Sequence, residues 1–297
     1  MKVLVTGSSG LVGSHLVPLL RSKGYTVTRL VRSKGAASEG DAVYWNPDEG
    51  EIDTSGLEGY DAVVHLAGEN IAGRWTEEKK ARILESRVHG TELLMKALSS
   101  LRARPGVVVA ASGVGYYGDR GDAVLTEESP QGKGFLAHVS GRWEEALDIG
   151  KEAGIRIVKM RIGMVLSPEG GALKQMLIPF KLGIAGKIGS GKQYWSWISL
   201  EDLTEGICFL IEAKDASGPV NMVSPDTVTN EEITKALASA LNRPAFIPLP
   251  EFAARAVFGE MADELMLAST RAVPVKLTEL GYNFRSPVLA KTLKKIL

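Results

Sequence analysis

Short apolar runs alternate with longer amphipathic stretches along most of this chain. The apolar runs predict β-strands at residues 2–5, 26–31, 61–67, 106–111 and 155–162. Apolar side chains at helical spacing predict helices between them, at 77–101 and 141–152. This alternation is typical of an α/β protein in which helices cover both faces of a parallel sheet. We therefore expect the doubly wound Rossmann fold.

The second half of the chain has a different pattern. Residues 167–196 combine many glycines with aromatic residues, which predicts a shaped loop with little regular structure, either a lid or a surface connection. The elements expected after it are a helix at 202–212, a strand at 219–223, a helix from 230 and a helical stretch at 252–269. We expect a Rossmann domain at 1–225, and a small, mostly helical C-terminal domain at 226–297 that docks on the sheet domain or on a partner.

Charge and cysteine content narrow the possible function classes. The 35 basic and 35 acidic residues cancel, so the chain has no overall field to hold nucleic acid or an anionic membrane. The single cysteine, Cys208, excludes an internal disulfide and cannot by itself support a zinc site, so no metal is expected. The chain has no run of about 18 apolar residues and no signal-peptide pattern. We expect a cytoplasmic protein.

The most informative motif is TGSSGLVG at residues 6–13, between the first predicted strand and a helical stretch. Such a turn binds the pyrophosphate of a dinucleotide: Gly7 permits the tight turn, Gly10 lets the backbone approach the phosphates, and Gly13 allows close packing. The alternative is a structural turn without a nucleotide, since glycines also serve ordinary turns.

The end of the second predicted strand indicates which dinucleotide is bound. NAD-binding proteins carry an acidic residue there, whereas this chain has Arg32. A guanidinium can bind a 2′-phosphate in bidentate fashion, so NADP is favoured, with Arg29 and Lys34 as possible helpers. Alternatively, Arg32 is a solvated side chain at the end of a strand.

Further motifs carry a family resemblance. The first set is TGSSGLVG, HLAGEN (65–70), RVHGTELL (87–94) and ASGVGYYG (111–118). These resemble the extended short-chain dehydrogenase/reductase superfamily. GSGKQYWSWISLEDL (189–203) and the segment 243–267 resemble, more narrowly, its SDR39U1-like branch of epimerase family proteins, which have a small C-terminal domain of unknown function.

This resemblance implies a set of cofactor-binding residues. The pyrophosphate would be held by Gly7, Ser9, Gly10, Leu11 and Val12. Arg32 would bind the adenosine 2′-phosphate, and Leu66, Ala67 and Gly68 would line the adenine and ribose edge. Arg161 and its neighbours up to Met164 would lie near the nicotinamide of NADP(H).

The usual catalytic pair of this superfamily is missing. Its enzymes use a tyrosine followed four residues later by a lysine, but residues 134–146 (GFLAHVSGRWEEA) contain no tyrosine. His138 with Arg142 has the nearest spacing, although the following glutamates suggest that this pair is out of register. His138 is therefore either a catalytic acid or base, or an ordinary exposed side chain.

Four other residues are candidates for the site. Ser112 ends a buried strand, one residue from the usual serine position, and is expected to touch substrate or nicotinamide. Tyr116 and Tyr117 are each either an alternative proton donor or a packing residue. Arg87 stands where an asparagine is usual and would bind cofactor phosphates or an anionic substrate, or else pair with Glu69 or Glu85. His65, inside a strand, is expected to be an ordinary core histidine.

These observations predict an NADP-binding protein with the Rossmann fold. Its expected activity is that of an oxidoreductase or epimerase acting on a small polar substrate. The alternative is a non-catalytic NADPH-binding sensor or scaffold, which the missing tyrosine and lysine favour. A homodimer is possible, and no nucleic acid or membrane partner is expected.

Overall fold

An eight-stranded sheet forms the centre of the structure, a computed structural model that describes residues 1–38 and 40–297. The strands are β1 (Lys2–Thr6), β2 (Thr26–Val31), β3 (Ala42–Asn46), β4 (Glu51–Ile52), β5 (Ala62–His65), β6 (Val107–Gly113), β7 (Val124–Leu125), β8 (Arg156–Ile162), β9 (Met164–Leu166), β10 (Tyr194–Trp195), β11 (Trp197–Ser199), β12 (Gly218–Met222), β13 (Val228–Thr229) and β14 (Arg271–Ala272). The order in the sheet is β12-β8-β6-β5-β1-β2-β3-β4. Its strand pairs are parallel except β3 with β4, which confirms the predicted doubly wound Rossmann fold.

Helices cover both faces of this sheet. They are α1 (Leu11–Ser22), α2 (Lys34–Ala37), α3 (Glu77–Ser100), α4 (Phe135–Ala146), α5 (Asp148–Glu152), α6 (Gly171–Lys181), α7 (Leu200–Glu212), α8 (Asn230–Leu241), α9 (Glu251–Phe258), α10 (Val275–Glu279) and α11 (Leu289–Ile296). A 3-10 turn spans Val114–Tyr117, and a π-helical turn spans Ala262–Leu267. Within the described residues, no helix is long and apolar enough to cross a membrane.

The continuous apolar run of β1 is buried on both sides. Val3 and Val5 pack with Leu16 of α1 on one face, whereas Leu4 packs with Leu94 of α3 on the other. Successive strand residues point to opposite faces, so a strand covered on both sides needs apolar residues at every position. The chain order reverses between β1 and β5, and this opens a crevice at the carboxyl ends of the strands.

A separate apolar cluster lies outside the sheet. It joins Leu177 of α6, Trp197 of β11, Leu237 of α8 and Leu293 of α11. The predicted domain boundary at 225/226 therefore runs through one shared core, because residues on both sides of it contribute. Leu277 of α10 packs in the core beneath the sheet, so the C-terminal part docks on the sheet domain of its own chain.

Two expectations about local structure were wrong. The glycine-rich segment 167–196 contains the 11-residue helix α6, because Leu173, Leu177 and Phe180 give it a continuous buried face. Helix α4 begins at Phe135, six residues before the predicted start at 141. Its first N–H groups are satisfied by a distant side chain, Glu264, which accepts hydrogen bonds from the amides of Phe135 and Leu136 at 3.0 Å each.

Candidate cofactor site and active site

The glycine turn after β1 is compact and open at its outer side. Gly7 has a φ of +67°, and a methyl group on Gly13 would lie only 2.2 Å from the carbonyl oxygen of Gly7. Gly10 is the N-cap of α1, and no described side chain caps this helix or adds an acidic group to its first turn. The free N–H groups and the positive end of the helix dipole therefore form an anion site.

Thr6 and His65 connect this turn to the neighbouring strand β5. The hydroxyl of Thr6 accepts hydrogen bonds from the amides of Leu66 (3.0 Å) and Ala67 (3.2 Å), which leaves its own proton for Nδ1 of His65 at 2.8 Å. Nε2–H of His65 then donates to the hydroxyl of Thr91 at 3.0 Å. Burial lowers the pKa of His65 to about 4. His65 is confirmed as a core histidine, with both ring nitrogens hydrogen-bonded. Thr6 holds the amides of Leu66 and Ala67 beside the glycine turn, a role that the sequence did not indicate.

Arg32 lies at the end of β2 with 73% of its side chain exposed, and among the described residues it pairs only with Asp48, at 4.0 Å. Its guanidinium is thus accessible where a 2′-phosphate was predicted. Arg29 pairs with Asp41 at 2.5 Å, and the same carboxylate also accepts a hydrogen bond from Arg21 of α1. Lys34 pairs with Glu51 at 3.4 Å.

Arg87 packs against Gly68, at the end of the segment 66–68. A methyl group on Gly68 would lie 3.3 Å from Cζ of Arg87. Nη1 donates to the backbone carbonyl of Glu69 at 3.0 Å, and the guanidinium stacks on Trp143 at 5.0 Å. The Glu69 carboxylate pairs with Lys79 instead, at 2.5 Å. Burial lowers the pKa of Arg87 to about 10, since a desolvated guanidinium is costly to keep charged. The structure therefore places Arg87 against the predicted cofactor segment.

A buried ion pair closes the inner end of the candidate active site. Arg161 of β8 donates from Nε and Nη2 to the two carboxylate oxygens of Glu144, at 2.8 and 2.9 Å. Ser112 of β6 donates its hydroxyl proton to the same carboxylate at 2.8 Å. Burial alone lowers the pKa of Arg161, but the hydrogen bond and charge of Glu144 outweigh it and raise that pKa above its ordinary value. The guanidinium predicted near the nicotinamide therefore faces inward, and Glu144 is a site residue that sequence reasoning missed.

Tyr116 and Tyr117 lie at the carboxyl end of β6 in different environments. Tyr117 is fully buried; its hydroxyl donates to Asn221 at 2.7 Å and accepts from Nη1 of Arg161 at 3.0 Å. Tyr116 is partly exposed, and Cζ of Arg161 lies 3.5 Å from the centre of its ring. Among the described residues, no group hydrogen-bonds to the Tyr116 hydroxyl.

Helix α4 explains the missing catalytic pair. Leu136, Ser140 and Glu144 follow one another at four-residue spacing on the buried face, which meets β6 through the Ser112–Glu144 contact. A tyrosine and lysine on this face would stand at 136 and 140, where the chain has leucine and serine. His138 and Arg142 are exposed on the opposite side, as the expected mismatch of register implies. The structure therefore does not bring His138 to Ser112 or Tyr116.

The residues present fit a dinucleotide with a 2′-phosphate. Any side chain at Gly13 would collide with the backbone of Gly7 and Ser8, so the tight turn depends on this glycine, and the first turn of α1 offers N–H groups to a pyrophosphate. Arg32 supplies an accessible cation just beyond the end of β2, the strand that pairs with β1.

Two family models match this chain. One, described as "NAD dependent epimerase/dehydratase family", matches residues 3–223. The other, "Domain of unknown function (DUF1731)", matches residues 249–296. Epimerase family protein Mb2239 of Mycobacterium bovis is 44% identical over 98% of this chain and 96% of its own length.

Solved structures give the same picture. The human epimerase family protein SDR39U1 (isoform 2), crystallised with NADPH, is similar with a TM-score of 0.91 and 37% identity, over 100% of this chain and 99% of that one. A nucleoside-diphosphate sugar epimerase from Corynebacterium glutamicum has a TM-score of 0.84 and 35% identity, over 100% of this chain and 58% of that one. The family resemblance seen in the motifs is thereby confirmed.

Proposed function

Because this chain belongs to the NAD-dependent epimerase/dehydratase family, we propose that it binds NADPH and acts as an NADP-dependent oxidoreductase or epimerase on a small polar substrate. The observation that carries this proposal is the glycine turn at 7–13, together with the accessible guanidinium of Arg32. A similar human structure was crystallised with NADPH, which supports the same cofactor here.

Each part of the cofactor would meet a different set of residues. The N–H groups of the turn would hold the pyrophosphate, Arg32 the 2′-phosphate, and Leu66, Ala67 and Gly68 the adenine and ribose edge. Arg87 would contribute positive charge behind Gly68. When bound, NADPH supplies a hydride to an electrophilic carbon of the substrate. The protein must then place the substrate in the crevice at the carboxyl end of β6 and donate a proton to the substrate oxygen.

An absorbance assay tests this function. The protein is incubated with NADPH and a panel of aldehydes and ketones while the nicotinamide absorbance is followed. An oxidoreductase predicts consumption of NADPH with at least one compound and a weaker response with NADH, whereas an epimerase returns the hydride and consumes no NADPH. Gly13→Ala, whose methyl group would collide with the Gly7 backbone and distort the turn, should abolish the reaction. Lack of consumption across the panel by a protein that binds NADPH would contradict an oxidoreductase that acts on such carbonyls.

A second candidate is a non-catalytic NADPH-binding sensor or scaffold. Leu136 and Ser140 favour it, because they occupy the face of α4 that would carry a tyrosine and lysine. This candidate predicts tight NADPH binding without consumption, and a change in protease sensitivity of the C-terminal part when NADPH binds.

Two broader expectations remain predictions. A cytoplasmic location is tested by fractionation of cells that express the tagged chain. The homodimer is tested by light scattering of the purified protein, where a mass near 31.8 kDa would contradict it.

A further inference from the structure

We propose that Tyr116 is the catalytic residue that gives a proton to the substrate carbonyl oxygen, and that Arg161 is the positioning residue that holds its ring. This inference rests on the proposed function and deepens it, because it assigns the proton transfer that the missing tyrosine and lysine would otherwise perform.

The contrast between two adjacent tyrosines is the first argument. Tyr117 is 0% exposed, and both of its hydroxyl roles are taken, by Asn221 and by Arg161. Tyr116 is partly exposed, and its hydroxyl has no hydrogen-bond partner within the part of the chain that the structure describes. A buried phenol normally finds a partner, so Tyr117 is structural. The Tyr116 hydroxyl is available to a ligand.

Position is the second argument. Tyr116 stands in the turn Val114–Tyr117 at the carboxyl end of β6, two strands from β1. Ligands of doubly wound folds bind outside the carboxyl ends of the strands, near the reversal of strand order. Leu136 packs against Gly115 of the same turn, so this end of α4 lies beside Tyr116 and adds no polar group from the 136 position.

The rival proton donors are excluded by their contacts or by their position. The hydroxyl of Ser112 donates its proton to the Glu144 carboxylate at 2.8 Å. His138 lies on the exposed part of α4, whereas Glu144 is buried. Ser140 is buried, with 6% of its surface exposed. Tyr116 therefore combines an ionisable group with an available hydroxyl at this strand end.

Arg161 holds the Tyr116 ring in one place. Its Cζ lies 3.5 Å from the ring centre, and the guanidinium is itself fixed by two hydrogen bonds to Glu144. A guanidinium locked in this way is a rigid platform for an aromatic ring.

In the proposed step the Oη–H bond of Tyr116 breaks, and the proton forms a bond with the substrate carbonyl oxygen. That oxygen becomes a hydroxyl group as the carbonyl carbon accepts the hydride that bound NADPH would supply. The electron pair of the broken bond stays on the phenol oxygen, beside Arg161. Water returns a proton to that oxygen after the product leaves.

Tyr116→Phe is the decisive variant, with Tyr60→Phe as its matched control, because Tyr60 lies at the amino end of β5, on the opposite edge of the sheet. Loss of a general acid costs about 10²- to 10⁴-fold in rate. We expect Tyr116→Phe to lower kcat by at least about 100-fold, with NADPH affinity within about twofold of the wild type. Arg161→Lys should lower kcat more than it raises KM, which a merely loosened fold would not do.

A structure of the NADPH complex gives a readout that does not depend on turnover. Reacting atoms lie about 3 to 3.5 Å apart, so the Tyr116 oxygen should lie within about 6 Å of nicotinamide C4, with the substrate carbonyl between them. A distance above about 8 Å, or a Tyr116→Phe variant that retains the wild-type rate, overturns this inference and leaves the proposed function standing. Failure of the proposed function shows separately, as absent turnover by the wild type itself.

Discussion

Arg161 and Glu144 form a two-pronged ion pair inside the protein, with N–O distances of 2.8 and 2.9 Å. Arg161 is 3% exposed and Glu144 is 6% exposed, so water solvates neither charge and each depends on the other. The pair joins β8 to α4, and the Ser112 hydroxyl attaches it to β6. It therefore fixes the strand ends and the helix that surround the candidate active site.

Removing one charge from this pair should be costly. Glu144→Gln leaves a buried guanidinium without its counter-charge, and such a loss costs about 3 to 5 kcal/mol in free energy of unfolding. The matched control is Glu145→Gln, which breaks the exposed Arg142–Glu145 pair on the next residue and should cost less than about 1 kcal/mol. Chemical denaturation measures both, and equal costs would contradict the assigned role of Glu144.

Stability should depend on pH through His65. Its pKa is lowered from 6.5 to about 4 by burial, so between these values the unfolded chain binds a proton that the folded chain does not. The free energy of unfolding is therefore unaffected by this group above pH 6.5, and it decreases as the pH falls from 6.5 toward 4. From pH 7.5 to 5 the loss should be about 2 kcal/mol.

Two substitutions isolate this effect in denaturation curves at several pH values. His65→Gln should be less stable than the wild type at pH 7.5, but its free energy of unfolding should not show the loss of about 2 kcal/mol between pH 7.5 and 5. His89→Gln, at an exposed position on α3, should keep the wild-type dependence. An unchanged slope in His65→Gln would refute the buried neutral histidine.

Two alanine substitutions in the glycine turn should have different effects on folding and on cofactor binding. Gly13→Ala places a methyl group 2.2 Å from the Gly7 carbonyl oxygen, so it should lower both stability and NADPH affinity. At Gly10 the same methyl group would lie 3.4 Å from that oxygen, which is nearly ordinary contact. Gly10→Ala should therefore fold normally and still bind NADPH at least about tenfold more weakly, a loss near 1.4 kcal/mol. Melting curves and NADPH titrations check both, and wild-type affinity in Gly10→Ala would count against a phosphate at this turn.

Much of the fold was readable from local pattern. The strand β1 is apolar at consecutive positions because both of its faces are buried. A side chain at Gly7 or Gly13 would collide with neighbouring backbone, and Gly10 lies where a phosphate would approach the backbone. Both signals lie within a few neighbouring residues. The same holds for Arg32, whose position at the end of β2 follows from the strand itself.

The features that were missed depend on contacts between distant residues. Helix α4 starts at Phe135 because Glu264, more than a hundred residues later, accepts its first N–H groups. Arg161 points inward because Glu144 of α4 lies beneath it, and no spacing rule indicates that pair. Helix α6 was not predicted because many glycines flank it, although its own apolar residues have helical spacing.

We infer that this chain binds NADP(H) through the glycine turn and Arg32. Isothermal titration of the wild type, of Arg32→Ala and of a control, Arg142→Ala on the exposed face of α4, with NADPH and NADH tests it directly. The wild type and the control should prefer NADPH. Arg32→Ala should lose at least about tenfold in NADPH affinity, near 1.4 kcal/mol, while its NADH affinity stays unchanged. Equal affinities for the two cofactors in the wild type, or an unchanged preference in Arg32→Ala, would contradict the account.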